Sequence, residues 1–113
     1  MDVKQIKRGS IILCELKGAE GTSVQASTRP CIVVSNQKNN TFSTTLNVVP
    51  LSSKNKKCLP SHVDITSGVV KKSTALVEQI VTISKTEIIK VFGSVDDATL
   101  KKLNAAIAVQ LAI

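Results

Sequence analysis

Two polar residues, Glu78 and Gln79, interrupt the most strand-like run of this 113-residue chain, Ala75 to Ile83. A carboxylate and an amide inside an apolar strand are costly unless each meets a partner or a ligand, so the pair invites a functional reading. The bland alternative is a buried pair of Glu78 with a backbone group or with Arg29. Arg29 itself leads into a second apolar run, Cys31 to Ser35. Its guanidinium either binds an anion or braces Glu15 or Glu20 across the preceding loop. Lys54, Lys56 and Lys57 form a basic cluster, either a solvated face or an edge that holds phosphates.

Several chemistries are excluded by what the chain lacks. It has no P-loop, no GxSxG and no HExxH, and its one histidine, His62, can build neither a histidine-rich metal site nor a two-histidine nuclease. No metal and no cofactor is expected. The three cysteines, Cys14, Cys31 and Cys58, are widely spaced, giving neither a disulfide framework nor a CxxC pair; Cys14 and Cys31 read as small buried hydrophobes. Fifteen Lys and Arg against eight Asp and Glu leave a net charge of +7, which favours polyanions or an acidic protein partner. Phe42 and Phe92 are the only aromatics, so a bound RNA must be held by phosphate contacts and hydrogen bonds rather than by stacking.

The elements that must position these groups follow from the apolar pattern. Ile11 to Leu16 reads as a first strand, and Lys17 to Thr28, rich in Gly, Ser, Thr and Ala, as a long binding loop or lid. Arg29-Pro30 starts the second strand, Asn36 to Asn40 turns the chain, and Thr41 to Val49 returns antiparallel until Pro50 ends or bulges it. Ser52 to Lys57 is a polar loop, Pro60 to Ile65 a short strand, and Gly68 a turn. After the continuous strand Ala75 to Ile83, Ser84 to Ile88 suits one helical turn and Val91 to Gly93 a last short strand. Ser94-Val95-Asp96-Asp97 resembles a capping box, opening an amphipathic helix with Leu100, Leu103, Ile107 and Leu111 inward and Lys101, Lys102 and Asn104 outward. The pattern predicts an α+β domain spanning residues 1–113: a curled, mainly antiparallel sheet of about five to seven strands with a C-terminal helix. No apolar run approaches the roughly 20 residues of a membrane span, and the N-terminus lacks a cleavable leader pattern, so a soluble cytoplasmic protein is expected.

Arg29-Pro30-Cys31-Ile32-Val33-Val34-Ser35-Asn36 resembles the RP-apolar-SN segment of the MazF/PemK family of toxin endoribonucleases. Further likenesses follow in the family's order. Arg8-Gly9-Ser10-Ile11 is similar to its RGD-apolar opening, Gly21 to Gln25 to its GSEQ loop, and Val49-Pro50-Leu51-Ser52-Ser53 to its VPxTS segment. Pro60-Ser61-His62-Val63 resembles PTHV, and Glu78 to Ile83 resembles EQIRTI. The chain departs from the pattern at Ser10 in place of Asp, at Ser52 in place of the usual catalytic Thr, and at Val81 in place of a frequent Arg. One extra residue stands before Gln25.

The resemblance implies an SH3-like barrel and a type II toxin that cuts single-stranded RNA, such as mRNA, without metal. The ribose 2′-hydroxyl attacks the adjacent phosphate, giving 2′,3′-cyclic phosphate and 5′-hydroxyl ends. It makes Arg29, Ser52 and Glu78 catalytic and places Gln25, Ser53, Lys54, Lys56 and Gln79 against the RNA. It also implies a homodimer and a cognate antitoxin with an acidic tail. Two alternatives stay open at this level: a gyrase-binding toxin of the CcdB type without nuclease activity, and a catalytically weak RNA-binding member of the family.

Overall fold

A computed structural model describes residues 6–18, 21–22, 24–54, 59–66, 68 and 71–113. Seven strands form one antiparallel sheet: β1 (Ser10–Leu16), β2 (Ser27–Val33), β3 (Thr45–Ser52), β4 (His62–Ile65), β5 (Ser73–Leu76), β6 (Val81–Ser84) and β7 (Ile88–Ser94). Their order is β4-β5-β3-β2-β1-β7, with β6 also pairing to β3. A short helix, α1 (Gln37–Phe42), joins β2 to β3, and α2 (Asp97–Leu111) ends the chain. The architecture fits the α+β, barrel-like expectation.

Near-continuous apolar runs are explained by burial of both sheet faces. Ile11, Ile32, Val49 and Leu51 point to one core, closed by Leu103 and Ala106 of α2, while Ile12, Cys14, Cys31, Val33 and Val48 point to the other, with Ile83 and Ile88. Cys14 and Cys31 are therefore core residues, with their sulfurs 3.2 Å apart. That contact together with burial pushes the Cys31 thiol up from its ordinary value.

The elements depart from the sequence reading at several places, each with a local cause. Asn36 to Asn40 does not merely turn the chain: the Asn36 side chain accepts from Asn39 N at 2.8 Å and caps α1. Consequently β3 starts later than Thr41, and it runs through Pro50 to Ser52. β2 begins earlier than expected, at Ser27, and β7 earlier than Val91, at Ile88. Ser94 pairs with Ser10 at the end of β7, so the cap of α2 is Asp96, whose carboxylate accepts from Thr99 N at 2.8 Å. Leu103 is buried and Leu100 and Ile107 pack on the core, but Leu111 is exposed. The expected helical turn after Ser84 is a 3-10 turn, Lys85–Glu87, held by a capping box in which Glu87 accepts from Ser84 N.

The largest departure concerns Ala75 to Ile83, which is two strands rather than one. Leu51 pairs with Ala75 and Ser52 with Thr74, whereas Val48 pairs with Val81 and Thr45 with Ser84. Between these two registers the chain accommodates a 3-10 turn, Val77–Gln79. The interruption lifts Glu78 and Gln79 out of the ladder.

Two consequences can be measured. Gly68 has φ of +72°, and a Cβ there would meet Ser94 O at 2.6 Å and Ile11 Cδ1 at 2.9 Å. Gly68→Ala is expected to destabilise the fold by about 1–3 kcal/mol in a denaturant titration. The Thr99 hydrogen bonds hold the Asp96 carboxyl below its ordinary value. A depressed folded value means that its stabilisation is present above the unfolded value of 3.8 and is lost as pH falls through the folded one. Wild type should therefore exceed Asp96→Ala in thermal midpoint at neutral pH, with the gap closing in strong acid.

Candidate active site

β3 changes partners at Pro50. On its β2 side the ladder ends at Cys31↔Pro50, and on its other side Leu51 and Ser52 pair with β5. Arg29 and Ser52 both lie past the end of that ladder, where Arg29 still pairs with Cys14 of β1 and Ser52 with Thr74 of β5. Past the end of that ladder opens a cavity of about 590 Å³. Arg29 and Pro30 line it from β2, Leu51 and Ser53 from β3, and Lys71 and Ser73 from the approach to and start of β5.

Arg29 donates from Nε to Ala26 O at 3.4 Å. Its terminal guanidinium nitrogens hydrogen-bond no described residue, and the anticipated brace to Glu15 does not form: Glu15 Oε2 accepts instead from Thr28 Oγ1 at 2.7 Å. The loop is shaped for this by Ser27, whose φ of 67° is left-handed and costs a non-glycine residue about 1 kcal/mol.

The two hydroxyls at the end of β3 are placed differently. Ser52 is 2% exposed and accepts from Lys54 N at 3.3 Å, which leaves its own hydrogen to donate. Ser53 and Lys54 are exposed, with Ser53 on the wall of the Arg29 cavity. Lys56 lies outside the described residues.

Glu78 meets a partner, His62, that the sequence reading gave no role in the site. Its Oε2 lies 3.0 Å from His62 Nε2. Leu59 N donates to His62 Nδ1 at 3.4 Å, so Nε2 carries the proton and donates to Glu78. The second oxygen, Oε1, is buried without a hydrogen-bond partner among the described residues. A buried acceptor left unmet costs on the order of 1–3 kcal/mol. Gln79 supports the loop instead, its Oε1 accepting from Gln25 N at 2.7 Å. Gln25 and Gln79 line a second, smaller cavity. The predicted residues thus fall into separate groups: Arg29 with Ser53 on one cavity, Glu78 with His62, and Gln25 with Gln79 on the other, while Ser52 is buried at the end of β3.

The family model for PemK-like, MazF-like toxins of type II toxin-antitoxin systems matches residues 7–111. The chain belongs to this family. Endoribonuclease EndoA of Bacillus subtilis is 33% identical to it, the match covering 96% of each chain. Endoribonuclease MazF of Staphylococcus saprophyticus is 30% identical over 96% of this chain and 92% of its own. Among solved structures, MazF of Deinococcus radiodurans superposes with a TM-score of 0.81 at 14% identity, covering 96% of this chain and 97% of that one. A mycobacterial endoribonuclease solved with its cognate antitoxin superposes with a TM-score of 0.80 at 24% identity, covering 96% of both chains.

His62, Lys71 and Ser73 were not singled out as site residues from sequence. His62 carried no local signal of this pairing, which joins β4 to the Val77–Gln79 turn. Lys71 and Ser73 carried none.

Proposed function

We propose that this chain is the endoribonuclease toxin of a type II toxin-antitoxin system, acting as a single domain over residues 1–113. Its carrying observation is the Arg29 guanidinium, unpaired by any described carboxylate, at a cavity walled by the β3 hydroxyl end. The scissile phosphate of single-stranded RNA binds at Arg29, whose donors gain strength as negative charge grows on the non-bridging oxygens. Ser52 donates its free hydroxyl hydrogen to the same phosphate. Glu78, oriented by His62, takes the proton of the 2′-hydroxyl as that oxygen attacks phosphorus. The bond to the 5′-oxygen breaks, leaving a 2′,3′-cyclic phosphate and, after protonation, a 5′-hydroxyl. No residue in this scheme calls for a metal.

Ser53, Lys54, Lys56, Gln25 and Gln79 bind the flanking RNA, the lysines through phosphates. The reading extends to a homodimer, supported by β7 as a sheet edge with Ile89 and Phe92 exposed on it. A cognate antitoxin with an acidic tail suits the +7 charge. A cytoplasmic location follows from mRNA as substrate. The gyrase-binding alternative has no observation in its favour.

The test is growth arrest on induction, scored beside transcript integrity. Wild type should arrest growth and cut transcripts, Arg29→Ala should do neither, and Ser52→Ala should slow cutting more than Ser53→Ala. Arrest by intact Arg29→Ala would remove the nuclease reading.

A further inference from the structure

Cys14 and Cys31 are buried free thiols that the cleavage scheme does not use. They face one core diagonally across β1 and β2, with Cys31 opposite Ile12 and Cys14 opposite Arg29. Their sulfurs are 3.2 Å apart, so about 1 Å separates this contact from a disulfide bond. The pair stands where two ladders stop. Toward the β1–β2 loop, Cys14↔Ile88 is the last pair between β1 and β7, and Cys31↔Pro50 the last between β2 and β3. Beyond them β1 and β2 continue only with each other, as far as Leu16↔Ser27. Such a two-stranded ribbon has little stability of its own, so its pose is set by its base and by the Gln25–Gln79 contact at its far end. Arg29 lies on this ribbon and is tied to the base directly: it pairs with Cys14, and its carbonyl oxygen accepts from Cys31 Sγ at 3.6 Å.

We propose that Cys14 and Cys31 form a redox site, which hydrogen peroxide converts to a disulfide that displaces Arg29 and reversibly turns down RNA cleavage. The effect on cleavage rests on the endoribonuclease reading above; formation of the disulfide does not. Cys14 is the attacking sulfur. Contact with Cys31 pulls its thiol below the ordinary value, against burial and the charges of Glu87 and Glu15, while the same contact raises Cys31. The Cys14 thiolate attacks one peroxide oxygen and expels hydroxide, giving a sulfenic acid. Cys31 then gives up its proton and attacks the Cys14 sulfur, and the sulfenic oxygen leaves as hydroxide. Two thiols and one peroxide thus become one disulfide and two waters, the sulfurs losing two electrons to the peroxide oxygens. Both sulfurs are buried, so the reaction waits on opening of the ribbon, which is held on neither outer side beyond the pair. A small neutral oxidant suits such a site. Bond formation draws Cys31 toward Cys14 and removes the hydrogen that Cys31 gives to Arg29 O. Displacing a catalytic group by about 1 Å can cost on the order of 10²-fold in rate. The bond also closes a covalent ring over residues 15–30, which include Gln25 and Arg29.

Full-length protein would be treated with hydrogen peroxide, cleared of it with catalase, and divided between RNA cleavage and peptide mapping after alkylation of the remaining thiols. Each sample would be compared with one returned to dithiothreitol. Wild type should form the Cys14–Cys31 cross-link, cut RNA about tenfold to 10²-fold more slowly, and recover on reduction. Cys14→Ala should cut like untreated wild type and keep that rate after peroxide. Cys58→Ser should respond as wild type does, which separates the pair from the third cysteine. The wild-type samples need no variant, so loss of stability in Cys14→Ala leaves the test intact. Absence of the Cys14–Cys31 cross-link overturns the proposal, as does a cross-linked protein that cuts at the untreated rate, or equal inhibition of a folded Cys14→Ala. A cross-link in a protein that cuts no RNA even when reduced would instead remove the endoribonuclease reading and leave the disulfide standing, because the mapping needs no cleavage.

Discussion

Arg29→Ala should lower the rate of RNA cleavage by about 10³-fold or more while leaving the fold intact. Removal of one preorganised donor to a developing oxyanion costs about 10²–10³, and loss of an arginine that stabilises a phosphoryl transition state reaches 10³–10⁵. Structural damage should be slight, since the side chain makes one long hydrogen bond to Ala26 O and no ion pair with a described residue. Arg29→Lys should recover little, because an ammonium offers a point charge where the guanidinium offers a planar fork. Single-turnover kinetics with saturating enzyme, beside a thermal melt, separate the two effects. An unfolded Arg29→Ala would show instead that the residue is structural.

Glu78→Gln should cost about 10²–10⁴ in the same assay, the usual range for loss of a general base. Its stability should be unchanged or higher than wild type, because the substitution replaces a partly buried carboxylate whose Oε1 has no described partner. Loss of activity with gain of stability is the pattern of a group held for catalysis at the fold's expense. His62→Ala would act through Glu78 by freeing its orientation. It should reduce kcat with little change in KM, and Glu78→Gln/His62→Ala should be no slower than Glu78→Gln alone, because the two act as one unit. An additive double variant would separate the two residues.

Much of the fold was legible because apolar runs mark buried strands whatever their partners. β1 was read almost to its ends, and the C-terminal helix was found from its spacing. Pro50 misled for an instructive reason. A proline usually ends a strand, but here it stands where β3 exchanges β2 for β5, so its missing donor coincides with the end of a ladder. The turn at Val77–Gln79 was missed because the polar pair Glu78-Gln79 was read as an interruption within one strand, whereas it marks the seam between two registers three residues apart. Asn36 was read as part of a turn because a cap and a turn residue look alike until the following helix is seen.

The site was legible in part and only through motif order. Arg29 alone suited a brace to Glu15 or Glu20 as well as an anion site; Glu15 is engaged by Thr28 instead, and Glu20 lies outside the described residues. Ser52 and Ser53 are adjacent and chemically equal in sequence; Ser52 is the buried last residue of β3, and Ser53 lies exposed just beyond the strand. The pairing of His62 with Glu78 spans sixteen residues and depends on how β4 and the 3-10 turn meet, which local sequence does not encode.

The central claim is that Arg29 drives cleavage by the RNA's own 2′-hydroxyl. Purified wild type and Arg29→Ala would be incubated in EDTA with one long unstructured RNA and with the same sequence carrying 2′-deoxyribose on the 5′ side of the mapped cut. The account predicts discrete wild-type cuts ending in 2′,3′-cyclic phosphate and 5′-hydroxyl, none at the deoxy position, and near-complete loss in Arg29→Ala. Cutting at the deoxy position, or undiminished cutting by Arg29→Ala, would contradict it.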